Sequence, residues 1–561
     1  MESAGRRMFE EARDGGELTD MDFVLDSGRK VRGHKSWLMA RCDYIRGMLS
    51  SGMREGKTGI VRVRGCSEGA FLAILEFLYI GRLGDACIGQ DWEELFRVSD
   101  MFVCEGMGAM LLDAVTMANI EDAVKMAVGQ GVKRLMERCV EALPSRPATV
   151  DEARRVTRVM AVLCKCGDAD DWELVGKGIG AVVAAMRAYT KDTTVQAAGC
   201  DILTLATNSC VDNRHIASSK SGMEAIVGAL KAHTNSAKVS ELGCTALLNL
   251  CASNDSNKRR AGNDGGVDAI VEAIKSHVGN ALVQEQGCSV LSSLCAGIHE
   301  NVRRAEKSGG VDAVLGALKT HKCKEVQKQG CAALRQLCAG SYENRRRAGD
   351  AGGVEAVLEA LKTHMPSAGV QEQGCAALWN LCVLSNENKR RAGSAGGVEA
   401  VVDALKAHRV GIKVQVQCCG AIMNLCAGIV ENKIRAGEAG GIEAVVDALR
   451  AHRGCAQVQS NGCGALINII AASGNADNAR RAEEAGALEA VTETLRISVA
   501  TLESAASNAT SVKASGEVGG KFDDDETAIF GEVIGNPDQE AVQRQARAAL
   551  ELLSQGLGPR V

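Results

Sequence analysis

Aromatic residues are scarce in this 561-residue chain, where they make up 3% of the sequence, and proline occurs only five times. Because proline interrupts helices, so few prolines leave room for a largely helical chain. No apolar run reaches the roughly 20 residues that are needed to span a bilayer. The 65 basic and 70 acidic residues nearly balance, so the net charge of −5 provides no general attraction to nucleic acid or anionic membranes.

The first twenty residues are polar and charged, and they lack the apolar core of a secretory signal peptide. We therefore expect a cytoplasmic or nuclear protein, or one found in both places. The 23 cysteines recur at helix spacing, which favours reduced core residues over disulfides. Several pairs stand seven residues apart, roughly 10 Å along a helix, and such pairs cannot share a zinc ion. We assign no metal, no cofactor and no catalytic residue.

An internal repeat is the strongest pattern in the sequence. An apolar residue followed by x-Ala recurs at steps of 43 to 46 residues, at Ile179, Met223, Val267, Val311, Val354, Val398, Ile442 and Leu488. Each unit predicts a charged helix closed by two glycines, an apolar helix ending in a basic residue, and a third helix opened by Val-Gln. Because no unit can bury its apolar faces alone, stacking of the units predicts a solenoid.

The Gly-Gly turn, the Val-Gln pair and the Asn-Leu pair near the end of the third helix resemble armadillo repeats, over about two-thirds of the chain. This resemblance implies a right-handed α-solenoid whose third helices line a groove for an extended peptide or protein. The matching groove positions are Asn249, Ser293, Gln336, Asn380, Asn424 and Asn468. An asparagine there can bond both the N–H and the C=O of a bound main chain. Alternatively, these side chains satisfy neighbouring backbone.

One departure from nuclear-import armadillo proteins concerns the tryptophan that they carry one turn before the groove asparagine. The corresponding positions here are Thr245, Ser289, Ala332, Ala376, Gly420 and Gly464. Trp379 is instead adjacent to Asn380. Without aromatic slots for the stems of bound lysines, we do not expect this chain to bind classical import cargo.

The N-terminal part predicts a mixed α/β module. Its pattern predicts a strand, a Ser-Gly turn and a second strand over residues 20–31, a helix over 34–49, a strand over 59–65 and a helix over 68–83. We expect Phe71, Ile74, Leu75 and Leu78 to form the core face of that last helix.

Asp22, His34-Lys35, Met48-Leu49 and the run from Phe77 to Gly81 resemble a BTB/POZ domain, although Cys42 and Ile45 replace the usual Ser and Phe. The resemblance implies dimerisation. In a subset of the family it also implies recruitment of a cullin-3 ubiquitin ligase through a hydrophobic-x-Glu motif, and Met53-Arg54-Glu55 occupies that place. The alternative is a solvated loop with a chance match.

Two further rows of residues recur with the repeat. The histidines His233, His277, His321, His364, His408 and His452 end the second helices. Adjacent units stack roughly 10 Å apart, too far for two histidines to share a metal, so we expect these side chains to stabilise helix C-termini. Arg259, Arg303, Arg346 and Arg390 could align into a basic ridge for an acidic partner or a phosphate. The alternative for this row is a solvated face.

We therefore predict a mainly α protein with an N-terminal α/β BTB/POZ domain and a solenoid of armadillo repeats. The predicted divisions are an N-terminal segment 1–19, the BTB/POZ domain 20–115, a helical extension and linker 116–147, a capping half-repeat 148–169, armadillo repeats 170–499, a disordered insertion 500–535, a final armadillo helix 536–555 and a tail 556–561. The predicted function is that of a non-enzymatic, dimeric adaptor and substrate receptor of a cullin-3 ligase. The alternative is a dimeric scaffold or transcriptional co-regulator without a ligase.

Overall fold

The computed structural model describes residues 2–51, 54–82, 92–102, 104–130, 133–166, 172–208, 210–471, 476–514 and 537–556. The chain divides into two compact units, residues 1–229 and 230–561. Among the described residues, no helix combines the length and the apolar character needed to cross a membrane.

A three-stranded sheet forms the centre of the N-terminal module. Its strands are β1 Met21–Leu25, β2 Lys30–Gly33 and β3 Ile60–Val63, in the order β2-β1-β3, with β2 antiparallel and β3 parallel to β1. Alternate residues of each strand are buried, as the alternating sequence predicts. Gly28 has φ +81° in the turn between β1 and β2, a conformation that glycine adopts cheaply.

Nine helices of the described residues belong to this module and its extension. They are α1 Glu2–Asp14, α2 Lys35–Arg41, α3 Asp43–Ser50, α4 Arg54–Thr58, α5 Glu68–Ile80, α6 Trp92–Met101, α7 Glu105–Asp113, α8 Ile120–Gln130 and α9 Lys133–Glu141. The four residues predicted as the core face of α5 are all buried. Ser67 caps its N-terminus by accepting from the N–H of Ala70, and Gly81 ends it with φ +81°.

Two predictions for this module need correction. The single helix predicted over 34–49 is broken into α2 and α3 at Cys42, whose extended backbone (φ −136°) caps both helices and whose thiol donates to the carbonyl of Phe102 at 3.2 Å. The segment 1–19 contains α1, which packs on α5 and places the ring of Phe9 6.3 Å from that of Tyr79. Because α1 supplies buried core side chains, it belongs to the module.

The remaining described helices follow in chain order. They are α10 Val150–Cys166, α11 Trp172–Ala188, α12 Thr193–Asn208, α13 Val211–Ser219, α14 Gly222–Ala232, α15 Ala237–Cys251, α16 Asp255–Asn263, α17 Gly266–Ser276, α18 Ala281–Cys295, α19 His299–Lys307, α20 Gly310–Thr320, α21 Lys324–Cys338, α22 Tyr342–Asp350, α23 Gly353–Thr363, α24 Ala368–Cys382, α25 Asn386–Ser394, α26 Gly397–Ala407, α27 Ile412–Cys426, α28 Val430–Glu438, α29 Gly441–Ala451, α30 Ala456–Ile470, α31 Ala476–Glu484, α32 Ala487–Ala514 and α33 Pro537–Gly556. Consecutive third helices from α15 to α33 pack against each other.

The Gly-Gly turn acts as the repeat pattern predicts. Gly396 has φ +78°, which the left-handed region permits for glycine at little cost. A Cβ on the following Gly397 would lie 2.7 Å from the carbonyl oxygen of Ala392. The first glycine therefore supplies the conformation, and the second allows the close approach of the two helices.

The glutamine of the Val-Gln pair is a buried donor to helix ends. Gln371 donates from Nε2 to the carbonyls of Leu361 and His364 at 2.8 and 3.0 Å, at the C-terminus of α23. The same pair of bonds is made by Gln196, Gln284, Gln327, Gln415 and Gln459. Ser240 stands in this position in α15, and its buried hydroxyl has no hydrogen-bond partner.

A second buried amide row joins several first helices to the helices before them. Asn388 donates from Nδ2 to the carbonyl of Leu381 at 2.8 Å and to that of Arg345, in the preceding first helix, at 3.0 Å. Equivalent bonds are made by Asn213, Asn301, Asn432 and Asn478. This row was not singled out in the sequence, although the asparagine recurs with the repeat.

The histidine row lies at the ends of the second helices, as predicted. His408 caps α26, and its Nε2 donates to the carbonyl of Met365 in the preceding repeat at 2.7 Å. His321, His364 and His452 make the same kind of bond. Within the described residues, no three His, Cys, Asp or Glu side chains are grouped to hold a metal ion.

The prediction of a disordered insertion over 500–535 is wrong for its first part, because α32 continues as a helix to Ala514. Residues 515–535 lie outside the described residues. The final helix predicted over 536–555 is observed as α33, and it begins at Pro537, where the missing N–H of proline costs no helical bond.

Replacing Gln371 by alanine should lower the free energy of unfolding of the repeats by about 1–3 kcal/mol, because two buried carbonyls lose their side-chain donor. Gln373→Ala is the matched control. Gln373 is half-buried two residues further along the same helix, and its loss should cost less than about 0.5 kcal/mol. Urea unfolding followed by circular dichroism measures both changes, and equal losses would contradict the role given to Gln371.

Thiol reactivity should divide the cysteines by burial. Cys323 is exposed, whereas Cys288 and Cys331 are fully buried, and burial raises the pKa of each of these two thiols to about 12. Brief treatment with iodoacetamide at pH 8 should therefore modify Cys323 first, since the thiolate is the reacting form. Peptide mass spectrometry measures this order, with protein in guanidinium as the fully reactive control. Early modification of Cys331 in the folded protein would contradict it.

Candidate functional site

The six predicted groove residues occupy one equivalent position near the C-termini of six consecutive third helices, α15, α18, α21, α24, α27 and α30. All six side chains are half-buried, which leaves part of each accessible. We call the half-buried and exposed surface of these helices the third-helix face. The repeat therefore places the predicted residues in a single row on this face.

Two members of the row bond to neighbouring backbone. Asn380 donates from Nδ2 to the carbonyl of Arg335 at 3.0 Å, and Asn468 donates to that of Met423 at 2.8 Å. Each bond joins a third helix to the preceding one and uses one N–H of the amide. An asparagine amide has a second N–H and a carbonyl oxygen with two lone pairs. The backbone role and a ligand-binding role are therefore compatible at the same side chain.

A second row of amides runs parallel to the first, seven residues earlier in each helix. Its members over the last three of these helices are Gln373, Gln417 and Asn461, all of them half-buried. Asn461 donates to the carbonyl of Val416 at 3.1 Å, so it also contacts the preceding third helix. Two rows of amides thus border the third-helix face over α24, α27 and α30.

Glycines in the third helices make room for large side chains between the amide rows. A Cβ built on Gly420 would lie 2.2 Å from Cζ3 of Trp379, and one built on Gly464 would lie 2.5 Å from Sδ of Met423. The indole and the thioether therefore lie over the glycine of the next third helix. The tryptophan next to Asn380 does not stand where import-type armadillo proteins carry theirs, but it does form part of this face.

Charge is distributed unevenly along the third-helix face. At the position of Trp379, the neighbouring helices carry Arg335 in α21, Met423 in α27 and Ile467 in α30. Arg335 donates to Oε1 of Gln373 at 3.2 Å. Seven residues earlier in the repeat, accessible charges stand at Glu285 in α18, Lys328 in α21 and Glu372 in α24, and burial raises the pKa of the Glu285 carboxyl. At the position of Trp379 itself, the last three helices are apolar.

The four arginines of the predicted basic ridge are all exposed on first helices. Arg346 pairs with Glu343 at 2.6 Å and with Asp350 at 3.3 Å, and Arg303 lies 3.8 Å from Glu300. The next equivalent position is Ile434, which is 41% exposed and interrupts the row. These local acids offset the positive charge of the ridge, so the arrangement favours the solvated-face interpretation.

Buried cations were missed in the sequence. Lys389 is 7% exposed and donates from Nζ to the carbonyl of Ala427, the C-cap of α27, at 2.9 Å. Burial lowers the pKa of its ammonium group. Lys433 makes the equivalent bond to Ala471. A cation at a helix C-terminus is favourable, and the recurrence of the basic residue right after the buried asparagine was the available signal.

The predicted cullin-binding motif lies between α3 and β3. Glu55 is half-buried in the first turn of α4, and its carbonyl accepts from the N–H of Gly59 at 2.9 Å. Met53 lies outside the described residues. Glu55 therefore lies on the short helix α4, in the segment where the motif was predicted.

Comparison with known proteins identifies the N-terminal module. Residues 9–115 match the BTB/POZ domain family. Kelch-like protein 22 of Homo sapiens is 31% identical over 132 residues, which cover 22% of this chain and 20% of that protein. The chain thus spans about a fifth of the length of the curated relatives that it matches. The matched range begins within α1, consistent with the packing of that helix on α5.

The helical repeats are similar to solved armadillo-repeat proteins. A structure determined for a phosphorylation switch in the interaction between cadherin and beta-catenin has a TM-score of 0.56 and 16% identity, covering 77% of this chain and 79% of that chain. A designed armadillo repeat protein has a TM-score of 0.38 and 22% identity, covering 51% of this chain and 99% of that chain. The chain therefore combines a BTB/POZ domain with a solenoid of armadillo fold.

Gly420→Ala should displace the indole of Trp379, because the new methyl group would overlap the ring. We expect a loss of about 1–3 kcal/mol in the free energy of unfolding and a changed tryptophan fluorescence spectrum. Gly454→Ala is the control, since a Cβ at Gly454 meets nothing within 4 Å. Urea unfolding and fluorescence emission measure both variants. Unchanged stability together with an unchanged spectrum would rule out the described packing.

Proposed function

We propose that this protein is a dimeric substrate receptor of a cullin-3 ubiquitin ligase that acts in the cytoplasm or the nucleus. In this proposal the BTB/POZ domain forms the dimer and binds the cullin through Met53 and Glu55, and the third-helix face holds the target. The protein itself carries out no chemistry. Dimerisation brings two third-helix faces together, which raises the apparent affinity for a target with two binding segments.

The observation that carries the proposal is the position of Glu55, half-buried on α4 between α3 and β3 of a BTB/POZ domain. The two helices that follow the domain, α8 and α9, support it, because cullin-recruiting BTB proteins are expected to carry such an extension. The capping helix α10 packs against α8. Arg158 pairs with Glu121 across that contact at 2.7 Å.

The full-length protein should bind the N-terminal region of cullin-3, and the double variant Met53→Ala/Glu55→Ala should bind it at least about tenfold more weakly, equivalent to about 1.4 kcal/mol. Lys57→Ala is the matched control, because Lys57 is exposed on the same short helix. A pull-down followed by isothermal titration calorimetry measures the affinities, and light scattering checks that each variant remains a dimer.

Failure of a folded, dimeric parent protein to bind cullin-3 would eliminate the ligase proposal. The remaining function would then be a dimeric scaffold or a transcriptional co-regulator that joins the partners of two third-helix faces. Equal binding by the parent and the double variant would show that the cullin uses another surface of the domain.

A further inference from the structure

We infer that the third-helix face over α24, α27 and α30 binds an extended, uncharged peptide segment with large aliphatic or aromatic side chains. The inference rests on the proposed function, in which this face holds the target, and it specifies the chemistry of that target. It concerns a short stretch of the solenoid, which we call the amide-bordered strip and define by Trp379, Met423 and Ile467 and the two amide rows beside them.

The centre of the strip is apolar and accessible. Trp379, Met423 and Ile467 occupy the same position in three consecutive third helices, and all three are half-buried. The position one turn earlier holds Gly420 and Gly464 in the last two of these helices. The Trp379 indole and the Met423 thioether pack over these two glycines. The accessible parts of Trp379, Met423 and Ile467 therefore form one apolar surface, and burial of that area under a ligand favours binding.

The borders of the strip suit a peptide main chain. Gln373, Gln417 and Asn461 stand on one side, and Asn380, Asn424 and Asn468 stand on the other. An amide both donates and accepts, so such rows can satisfy the N–H and C=O groups of an extended chain without reading its sequence. The bonds from Asn380, Asn461 and Asn468 to the preceding helices fix these side chains before a ligand arrives. This pre-organisation reduces the entropy cost of binding.

Charge defines where the strip begins and ends. Arg335 in α21 precedes Trp379 at the equivalent position, and Glu551 in α33 follows Ile467. Between them, no charged residue stands at this position or one turn earlier. Glu372 lies two turns before Trp379, at the edge of the strip, where its carboxylate accepts from Nε2 of Gln373 at 2.9 Å. A ligand charge placed over these apolar side chains would lose hydration without gaining an ionic partner, which is unfavourable. The strip therefore selects against ligand side chains of either charge over Trp379, Met423 and Ile467.

The dimensions set the length of the segment. Two steps between neighbouring third helices amount to roughly 20 Å, from a helix spacing of about 10 Å. An extended chain rises about 3.3 Å per residue, so the strip accommodates about six residues. Side chains alternate between the two faces of such a chain, and about three of the six would point toward the strip.

Panning a phage library of random peptides of about 12 residues on the full-length protein tests the inference, since this length covers the strip with flanking residues to spare. We expect enrichment of stretches of about six residues that carry Leu, Ile, Met or Phe at alternate positions and exclude Lys, Arg, Asp and Glu. An enriched peptide, made synthetically with a fluorophore, then gives affinities by fluorescence anisotropy.

The variant Met423→Glu/Ile467→Glu should weaken that peptide at least about tenfold, because it places charges in the centre of the strip. Leu248→Glu is the matched control, since Leu248 is a half-buried residue at the equivalent position of α15, outside the strip. It should change the affinity less than about twofold. Circular dichroism and thermal unfolding verify that both variants remain folded.

Enrichment of charged peptides that still depend on the third-helix face would overturn the inference and leave the proposed function intact. Absence of any enriched peptide would overturn the inference and remove support for the target-holding role of the face. Binding that depends on Leu248 more than on Met423 and Ile467 would move the site away from the strip. Enrichment only after deletion of residues 515–535 would assign the strip to a segment of this chain itself and would overturn the inference as well.

Discussion

The solenoid depends on satisfying the backbone carbonyls that its many short helices leave without partners. Every helix leaves four such carbonyls at its C-terminus. A chain of helices of nine to fifteen residues therefore has more of them per residue than a chain of long helices. Gln371 and its equivalents donate to the ends of second helices, and Asn388 and its equivalents donate to the ends of third helices. Lys389 reaches the C-cap of the following third helix. The side chains that close one unit thereby also join it to the next.

Much of the fold could be predicted from sequence because its signals are repeated. The apolar spacing of Val398, Val401, Val402 and Leu405 specifies the buried face of α26, and Gly396-Gly397 marks the preceding turn. The start of the apolar pattern recurs in eight units and the Gly-Gly pair in five, which left little ambiguity. Features without a repeat were harder. The break at Cys42 depends on a tertiary contact with Phe102, and the helical continuation to Ala514 occurs in a segment whose small and polar residues are also typical of disorder.

The candidate site was predictable in position but not in character. Counting along the repeat located Asn380 and its equivalents, which lie in one row of half-buried side chains. Their bonds to the preceding helix depend on the spacing between units, which sequence does not specify. The packing of the Trp379 ring over Gly420 is likewise a contact between residues about one repeat apart. Trp379 does not stand at the position where import-type armadillo proteins carry their tryptophan. Because of this packing, it still contributes to the surface on which a target would lie.

The substitution of Ser240 for the glutamine of the other units has a consequence for how the solenoid comes apart. Its buried hydroxyl has no partner, so the end of α14 lacks the side-chain donor that Gln196, Gln284, Gln327, Gln371, Gln415 and Gln459 provide to other second helices. In a linear array, each unit is stabilised by its own bonds and by its immediate neighbours alone. A joint that lacks this pair of bonds is then held less tightly than its neighbours. Amide hydrogens near the end of α14 should exchange earlier than those of the later repeats, which makes this joint the natural border between separately folding segments.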